Sequence, residues 1–319
     1  MKRLLAGLGL GFALMSLCSA QSYPTRTIRF IAPFAAGGGT DLIARKLAQK
    51  LTEALGQTVV VDNRTGGSGV IGTDLAAKAP ADGYTIMLAT PTLTVNPSLI
   101  RKLPYDALND FAPVSLIATS PHLLAVHRSV PAKTVKELVT LAKARPGQLT
   151  FSSGSTGGSS HLSGELFNAT AGITMVHVPY RGTGEAVLAI MSGEVSLGFN
   201  DVPTTMPHMS SGRLRGIAVT SLKRSPAVPE LPAIAESGYP GFQSGVWYGV
   251  LAPARTRSEI VARLNSELVR IVRTAEFSQS LAAEGAVPVA STPEFFGDFI
   301  KTETARWAKI IKAANIASN

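Results

Sequence analysis

The sequence predicts an α/β protein that is built from two lobes, and three observations support this prediction. The chain has 319 residues, whereas a single domain commonly has about 150 residues. Apolar, β-rich runs alternate with segments of helical spacing, a pattern typical of mixed, mostly parallel sheets flanked by helices. A strand, a glycine-rich loop and a helix follow one another near the start, and the same succession returns in the middle. Each such unit is expected to begin one lobe.

Residues 1–20 have the composition of a secretory signal peptide. Two basic residues precede an apolar run over 4–17, which is too short to span a bilayer, and small residues follow up to Ala20. We therefore expect export to the periplasm and cleavage after Ala20. The alternative is a lipoprotein signal in which Cys18 carries lipid, and the bulky Leu17 before it disfavours that interpretation. Cleavage would remove the only cysteine, so no disulfide or Cys-based metal site is expected.

The first unit predicts a strand over 27–34, then a run of glycines, then a helix over 40–55. Thr40 and Asp41 are favourable residues for a helix N-terminus, and leucines recur after them at helical spacing. Two further β-rich runs, over 58–62 and 84–89, complete a βαβαβ succession. This order predicts parallel strands with helices on the faces of the sheet.

The second unit follows the same order. A strand over 148–152 leads into a glycine- and serine-rich loop over 154–160, and a helix begins near His161. Further predicted elements are strands over 175–178, 195–199, 214–219 and 246–251, helices over 183–192 and 203–211, and three C-terminal amphipathic helices, the last from about Pro293. Those helices are expected to return to the first lobe. Lobe 1 would then comprise residues 21–122 and 225–319, and lobe 2 residues 123–224.

Both glycine-rich loops, Ala35–Asp41 and Ser153–His161, have the properties of an anion-binding site. In each, a strand ends and a helix begins, so backbone N–H groups are free and the helix dipole adds positive potential. Neither loop contains Lys or Arg before its helix begins. If the lobes face each other, both helix N-termini point into one cleft, where a small carboxylate would fit. The alternative is that the loops are only tight turns with local caps.

Spacing disfavours other chemistry. The phosphate motif G-x-x-x-x-G-K-[ST] is absent, and the G-x-G-x-x-G match over Gly67–Gly72 lacks the acid that a dinucleotide site needs after the next strand. The five histidines have no metal-ligand spacing, and the basic residues are scattered despite a formal charge of +9, so no cofactor, metal or nucleic acid is expected. A secreted hydrolase, with Ser155 or Ser159 paired to a distant histidine, remains the enzyme alternative, although no G-x-S-x-G motif is present.

Several short segments together resemble the Bug family, the extracytoplasmic solute-binding proteins of tripartite tricarboxylate transporters. The similar segments, in chain order, are Pro33–Asp41, Asn63–Gly69, Ala81–Tyr84, Asn96–Pro97, Leu103–Asp106, Ser153–Leu162, Val178–Gly182 and Tyr248–Pro253. The resemblance implies a two-lobe periplasmic binding protein fold, type II-like, that closes on a small organic acid without catalysis. It also implies delivery to integral membrane permease subunits. A monomer is expected, and a ligand-presenting sensor is an alternative function.

The resemblance further implies which residues contact the ligand. The two loops would grip one carboxylate through backbone amides, hydroxyls and ordered waters, and residues after later strands would line the rest of the cleft. The residues assigned in this way are Phe34, Ala35, Gly37, Gly38, Gly39, Thr40, Asp41, Thr90, Thr92, Ser153, Ser155, Thr156, Gly157, Gly158, Ser159, Ser160, His161, Tyr180, Asn200 and Asp201. No catalytic or metal-ligating residue is assigned.

One position departs from the family pattern. The family usually has an acid directly after a phenylalanine, whereas here Asn200 follows Phe199 and the acid comes one place later. Because side chains alternate across a strand, only one of the two is expected to reach the ligand. The resemblance implies that this is Asn200, and that Asp201 caps the helix that begins near Pro203. An inward amide tolerates a second carboxylate. This favours a dicarboxylate or a neutral-tailed acid, with amino acids and aromatic acids left open.

Overall fold

The computed structural model describes residues 23–37, 39–283, 285–313 and 316. The predicted signal peptide, its cleavage site after Ala20, and the predicted ligand contact Gly38 lie outside these residues. The described chain forms one sheet of six strands and another of five strands, each flanked by helices. The prediction of a two-lobe α/β fold is therefore confirmed.

Strands and helices alternate along most of the chain, as the sequence predicts, except that two strands over 111–127, which were not predicted, follow one another directly. The strands are β1 (Ile28–Ala32), β2 (Val59–Asn63), β3 (Thr85–Ala89), β4 (Phe111–Ser120), β5 (His122–His127), β6 (Thr150–Ser153), β7 (Val176–Pro179), β8 (Leu197–Asp201), β9 (Leu214–Val219), β10 (Val246–Pro253) and β11 (Val287–Pro288). The α-helices are α1 (Gly39–Leu55), α2 (Val70–Ala77), α3 (Thr92–Leu99), α4 (Val135–Ala144), α5 (Ser159–Ala171), α6 (Thr183–Ser192), α7 (Val202–Ser210), α8 (Ser258–Val272), α9 (Ala275–Ala283) and α10 (Pro293–Ala313).

Each sheet contains one strand that runs antiparallel to both of its neighbours. The chain contributes this strand directly after it crosses from the other lobe. In the first sheet, with order β11-β4-β10-β3-β1-β2, strand β10 runs antiparallel to both neighbours. In the second, with order β7-β6-β8-β5-β9, strand β5 does the same. Strands β1 to β3 are mutually parallel in their pairings, as are β6 to β8. Mixed sheets of this kind leave the carboxyl ends of the parallel strands at one edge of each lobe.

Each sheet is covered on both faces by apolar helix surfaces. In lobe 1, α1 and α8 contribute Leu47, Leu51, Leu264 and Leu268 to one core, while α10 covers the other face with Phe296. In lobe 2, α4 and α5 cover one face and α6 and α7 the other. Among the described residues, none of the helices has the length and apolarity that a membrane crossing requires.

The chain returns to the first lobe later than residue 225, where the sequence-based boundary was placed. Val228 packs in a core of lobe 2 together with Leu123, and Ile234 and Phe242 pack in its other core. The backbone of Ser244 is still hydrogen-bonded to Thr220, so lobe 2 includes residues 225–243. The proline-rich composition of this stretch made it look like a linker, but its apolar side chains hold it on lobe 2.

Candidate ligand-binding cleft

A cavity of about 420 Å³ lies between the lobes, at the edge where the parallel strands end. Strands β1, β2 and β3 of lobe 1, and β6, β7 and β8 of lobe 2, end shortly before residues that line it. Six helices begin at or directly after lining residues, namely α1, α2, α3, α5, α6 and α7. The first N–H groups of a helix have no partner within it, and the helix dipole places positive potential there. The free N–H groups and the positive potential in the cleft therefore favour an anion.

The polar lining consists mainly of hydroxyl groups. They belong to Thr40, Thr65, Ser68, Thr90, Thr92, Ser155, Ser159, Ser160, Thr183 and Tyr248. Among the described lining residues, Arg181 and Asp201 are the ones that carry a formal charge at neutral pH. Since these two charges offset each other, recognition of an anion depends on oriented N–H and O–H groups rather than on a surplus of cationic side chains.

Asp41 holds the first glycine-rich loop in place from the side that faces away from the cavity. One carboxylate oxygen accepts hydrogen bonds from the Gly37 backbone N–H and from Arg45 Nε, both at 2.9 Å. The other oxygen accepts one from Asn63 Nδ2 at 3.0 Å, and the same amide group also donates to the carbonyl oxygen of Phe34. Burial alone would raise the pKa of Asp41, but these hydrogen bonds outweigh it and lower the pKa below its usual value. Asp41 does not line the cavity and shapes the loop that does.

The second glycine-rich loop is held in place by a serine hydroxyl and two imidazole rings. Ser153 Oγ lies 2.6 Å from His177 Nε2, and the Gly157 N–H donates to His161 Nδ1 at 3.0 Å. The two imidazoles stack with ring centroids 3.8 Å apart, and Phe151 lies against both. Burial, with a smaller contribution from His161, lowers the pKa of His177 to about 4, so this ring is uncharged at neutral pH.

The wall of lobe 2 also contains a buried histidine at the start of β5. His122 Nδ1 lies 2.8 Å from Ser163 Oγ, and its Nε2 lies 3.3 Å from Ser159 Oγ and 3.7 Å from an Asp201 carboxylate oxygen. Burial lowers the pKa of His122 to about 4. Burial also raises the pKa of Asp201 to about 6, against the effect of a hydrogen bond from Thr183. The wall therefore holds a carboxyl group that titrates near neutrality.

Asn200 and Asp201 do not divide their roles as expected. Both line the cavity. Asp201 directly precedes α7, but its side chain makes no capping hydrogen bond, so the prediction that it caps this helix is wrong. The hydroxyls of Thr204 and Thr205 bond instead to its backbone carbonyl. Asn200 is fully buried, and neither of its amide atoms has a hydrogen-bond partner among the described residues.

The structure brings together twelve of the residues assigned from the sequence around the cavity: Phe34, Ala35, Gly39, Thr40, Thr90, Thr92, Ser155, Gly158, Ser159, Ser160, Asn200 and Asp201. Seven others do not line it: Gly37, Asp41, Ser153, Thr156, Gly157, His161 and Tyr180. Most of these support the two loops from behind. Tyr180 instead donates its hydroxyl to Glu194 at 2.8 Å, at a different surface.

Sequence reasoning missed several lining residues. Thr65 to Gly69 overlap the glycine-rich motif that was rejected as a dinucleotide site, and the loop lines the cleft all the same. Arg181 and Thr183 stand at the predicted start of a helix, a signal that was available but not used. His122 had no signal, because strand β5 was not predicted.

The geometry of His122 does not match that of a catalytic triad. In a triad the serine and the aspartate hydrogen-bond to opposite ring nitrogens, so that the aspartate orients the base. Here Ser159 and Asp201 both approach Nε2, and Nδ1 faces Ser163. The hydrolase that the sequence left open therefore has no oriented base at Ser159.

Two lobes around a cleft lined by helix N-termini define a solute-binding receptor rather than an enzyme. The family model of the "Tripartite tricarboxylate transporter family receptor" matches residues 43–316, so the chain belongs to that family. The chain is 39% identical over 317 residues to protein BugT of Bordetella pertussis (strain Tohama I), covering 98% of this chain and 97% of BugT.

Solved structures give the same result. The structure of R. palustris Rpa4515 with adipate is 38% identical, covers 92% of this chain and 99% of its own, and has a TM-score of 0.85. The structure of MatC from Rhodopseudomonas palustris with bound malate is 30% identical, covers 91% and 100%, and has a TM-score of 0.81. The Bug-family resemblance and the receptor class are thereby confirmed.

Proposed function

We propose that this chain is a periplasmic receptor that captures a small organic dicarboxylate between its lobes and delivers it to the membrane permease subunits of a tripartite transporter. The observation that carries the proposal is the convergence of six helix N-termini and ten hydroxyl side chains on one cavity. This arrangement compensates negative charge without a cluster of basic residues.

The class of ligand follows from the distribution of polar groups over both walls. The two glycine-rich loops offer N–H and O–H donors for one carboxylate. The wall of lobe 2 adds a cation, Arg181, and a buried amide, Asn200, at which a second acidic group finds donors. Adipate and malate, bound in the related structures, are both dicarboxylates.

A thermal-shift screen over mono-, di- and tricarboxylates tests the ligand class directly. A ligand at about 100 times its Kd stabilises the native state by about 2.7 kcal/mol, which raises the Tm of a chain of this size by several degrees. The best dicarboxylate is then compared with its mono- and dimethyl esters by titration calorimetry. We expect affinity to fall with each ester, because each removes a negative charge that the walls compensate. Equal affinity of the diester and the diacid would contradict the proposal.

Export and transport need separate tests in the native host. Mass spectrometry of the protein from the periplasm is expected to give a chain that begins directly after Ala20, and a lipid on Cys18 would contradict this. Uptake of the labelled ligand should be lost on deletion of the gene and restored by the wild-type chain but not by a cleft variant. Unchanged uptake with intact binding in vitro would favour the sensor alternative.

A further inference from the structure

A second cavity, of about 370 Å³, lies where the chain crosses between the lobes. We call it the rear cavity; it is bounded by the Ser120–Pro121 crossing, the segments 221–226 and 243–247, and helix α10. The two crossings touch, because a side chain at Gly245 would collide with the carbonyl oxygen of Ser120. The rear cavity therefore contacts both connections between the lobes.

The rear cavity and the cleft meet at the start of β10, where Val246 lines both of them. Side chains alternate across a strand, and Tyr248 lines the cleft while its neighbour Trp247 lines the rear cavity. Trp247 packs edge-on against Phe299 of α10, with ring centroids 5.6 Å apart. The Trp247 ring therefore belongs to the rear cavity and the Tyr248 ring to the cleft.

Two buried donors of the rear cavity lack partners. Ser244 is 7% exposed and Trp247 3% exposed, and neither Ser244 Oγ nor Trp247 Nε1 has a hydrogen-bond partner among the described residues. Buried polar atoms are nearly always hydrogen-bonded, and leaving one unpaired is unfavourable. By contrast, the other indole, Trp307, donates to Glu303 at 3.0 Å.

The charges around the rear cavity favour an anion. Lys223, Arg224 and Arg306 line it together with one acid, Glu303. Arg224 is paired with Glu236 and Arg306 with Glu303, which leaves Lys223 as the lining cation without an ion pair among the described residues. Both carboxylate oxygens of Glu303 are already used, by Arg306 and by Trp307. Unpaired donors and surplus positive charge thus stand beside an apolar surface formed by two indoles and a phenylalanine.

We propose that the rear cavity is a second binding site, for an amphipathic carboxylate. Its apolar body packs against Trp247, Phe299 and Trp307. Its carboxylate accepts a hydrogen bond from the Ser244 hydroxyl and lies near the ammonium group of Lys223. This ligand differs from that of the cleft, whose lining is mainly hydroxyls and helix N-termini and contains neither tryptophan.

Octanoate and octanol form a matched pair of probes, with the same apolar chain and with or without the charge. Both tryptophans of the chain line the rear cavity, so their fluorescence reports on its occupancy. We expect octanoate to change this fluorescence saturably with a stoichiometry of one, and octanol to bind at least about fivefold more weakly because it lacks the charge. Equal affinity of the two probes would overturn the proposal.

Two variants locate the octanoate site. Lys223→Glu reverses a charge on an exposed side chain and should weaken octanoate binding by about three- to tenfold, whereas Lys136→Glu, a matched change on α4 far from the cavity, should leave it unchanged. Ser244→Ala should weaken binding without lowering the Tm, because the hydroxyl has no partner to lose. Octanoate affinity that is the same in wild type, Lys223→Glu and Ser244→Ala would place the probe elsewhere and refute the proposal.

Discussion

The two walls of the cleft are held in shape by different chemistry. The wall of lobe 1 depends on Asp41, a carboxylate whose charge is compensated by Arg45 and whose oxygens are all used. The wall of lobe 2 depends on uncharged imidazoles, His177 and His122. It also contains a buried amide without partners among the described residues, Asn200, and a carboxyl group that lines the cleft, Asp201, with a pKa of about 6.

This difference assigns separate tasks to the two lobes. Because the Asp41 carboxylate is fully hydrogen-bonded and fixes the first loop, we expect lobe 1 to present the same N–H groups to any carboxylate and so to provide general affinity. A wall with unpaired and titratable groups distinguishes ligands by what those groups can accept or donate. We therefore expect specificity and pH dependence to follow changes in lobe 2, and loss of all binding to follow changes in lobe 1.

The largest effect is expected for Asp41→Asn. An amide cannot accept from Gly37, Arg45 and Asn63 at once, so the first loop loses its shape and Arg45 its partner. We expect the free energy of unfolding at pH 7 to fall by about 2–4 kcal/mol, as measured by urea denaturation. Affinity for every carboxylate that binds should fall together, by at least about tenfold.

Asp62→Asn is the matched control for Asp41. Asp62 is half-buried and paired with two arginines, Arg29 and Arg64, and it does not line the cleft. This variant should lose stability and keep its affinity for carboxylates. If Asp62→Asn reduced binding as much as Asp41→Asn does, the effect of Asp41 would be one of general stability.

The same contrast explains how far the sequence could predict the cleft. The glycine-rich loops were predictable because glycines between a strand and a helix specify local geometry. Asp41, Ser153 and His161 were assigned to the ligand because a polar residue in such a loop looks the same whether it faces the cleft or supports the loop. Only tertiary contacts, such as Asn63 beside Asp41 and His177 beside Ser153, decide this.

The fold was more predictable than the chain crossings. Strands β1 to β3 and β6 to β9 were found because each is a short apolar, β-rich run bounded by loop residues, even at the sheet edges, where β2, β7 and β9 lie. Strands β4 and β5 were missed because Pro113 and Pro121 interrupt the stretch and it has no alternating pattern; nearly all of its residues are buried. Because β5 was not predicted, His122 could not be placed at the start of a strand, and it was not assigned to the site.

Asn200→Asp tests whether lobe 2 sets specificity. The new carboxylate would be buried where the amide has no partner, and it would repel a second negative charge on the ligand. We expect a dicarboxylate to lose about 1–3 kcal/mol of binding free energy relative to its monomethyl ester, as measured by calorimetry on both. Asn168→Asp, in lobe 2 but outside the cleft, should leave that ratio unchanged. Equal losses for diacid and monoester would remove Asn200 from the recognition of the second acid.

His177→Phe tests the neutral fastening of the second loop. Phenylalanine keeps the ring stack with His161 and Phe151 but loses the contact with Ser153, which should lower affinity a few-fold at pH 7.

The folded pKa of His177, about 4, lies below the usual value near 6.5, so the folded state holds fewer protons than the unfolded state between these values. Stability is therefore lost as the pH falls from about 6.5 to about 4. Urea denaturation at pH 7 and pH 4.5 should show about 1–2 kcal/mol less acid destabilisation in the variant. The same pH slope in both proteins would contradict this account.

The smallest effect, and the one that depends most on the ligand, is expected for Asp201→Asn. With a pKa of about 6, Asp201 is mostly protonated at pH 5 and ionised at pH 8, whereas His122 beside it is neutral throughout this range. An ionised Asp201 repels a dianionic ligand, so wild-type affinity for the dicarboxylate should fall a few-fold from pH 5 to pH 8. Because the raised pKa favours the protonated folded state, Asp201 also costs stability as the pH rises through 6. The variant should therefore gain up to about 1–2 kcal/mol of unfolding free energy over wild type at pH 8 and little at pH 4.

Calorimetry at pH 5 and pH 8 on wild type and Asp201→Asn measures the effect on binding. Affinity that rises with pH in wild type, and loses this rise in the variant, would mean that Asp201 faces an ammonium group and that the ligand is an amino acid.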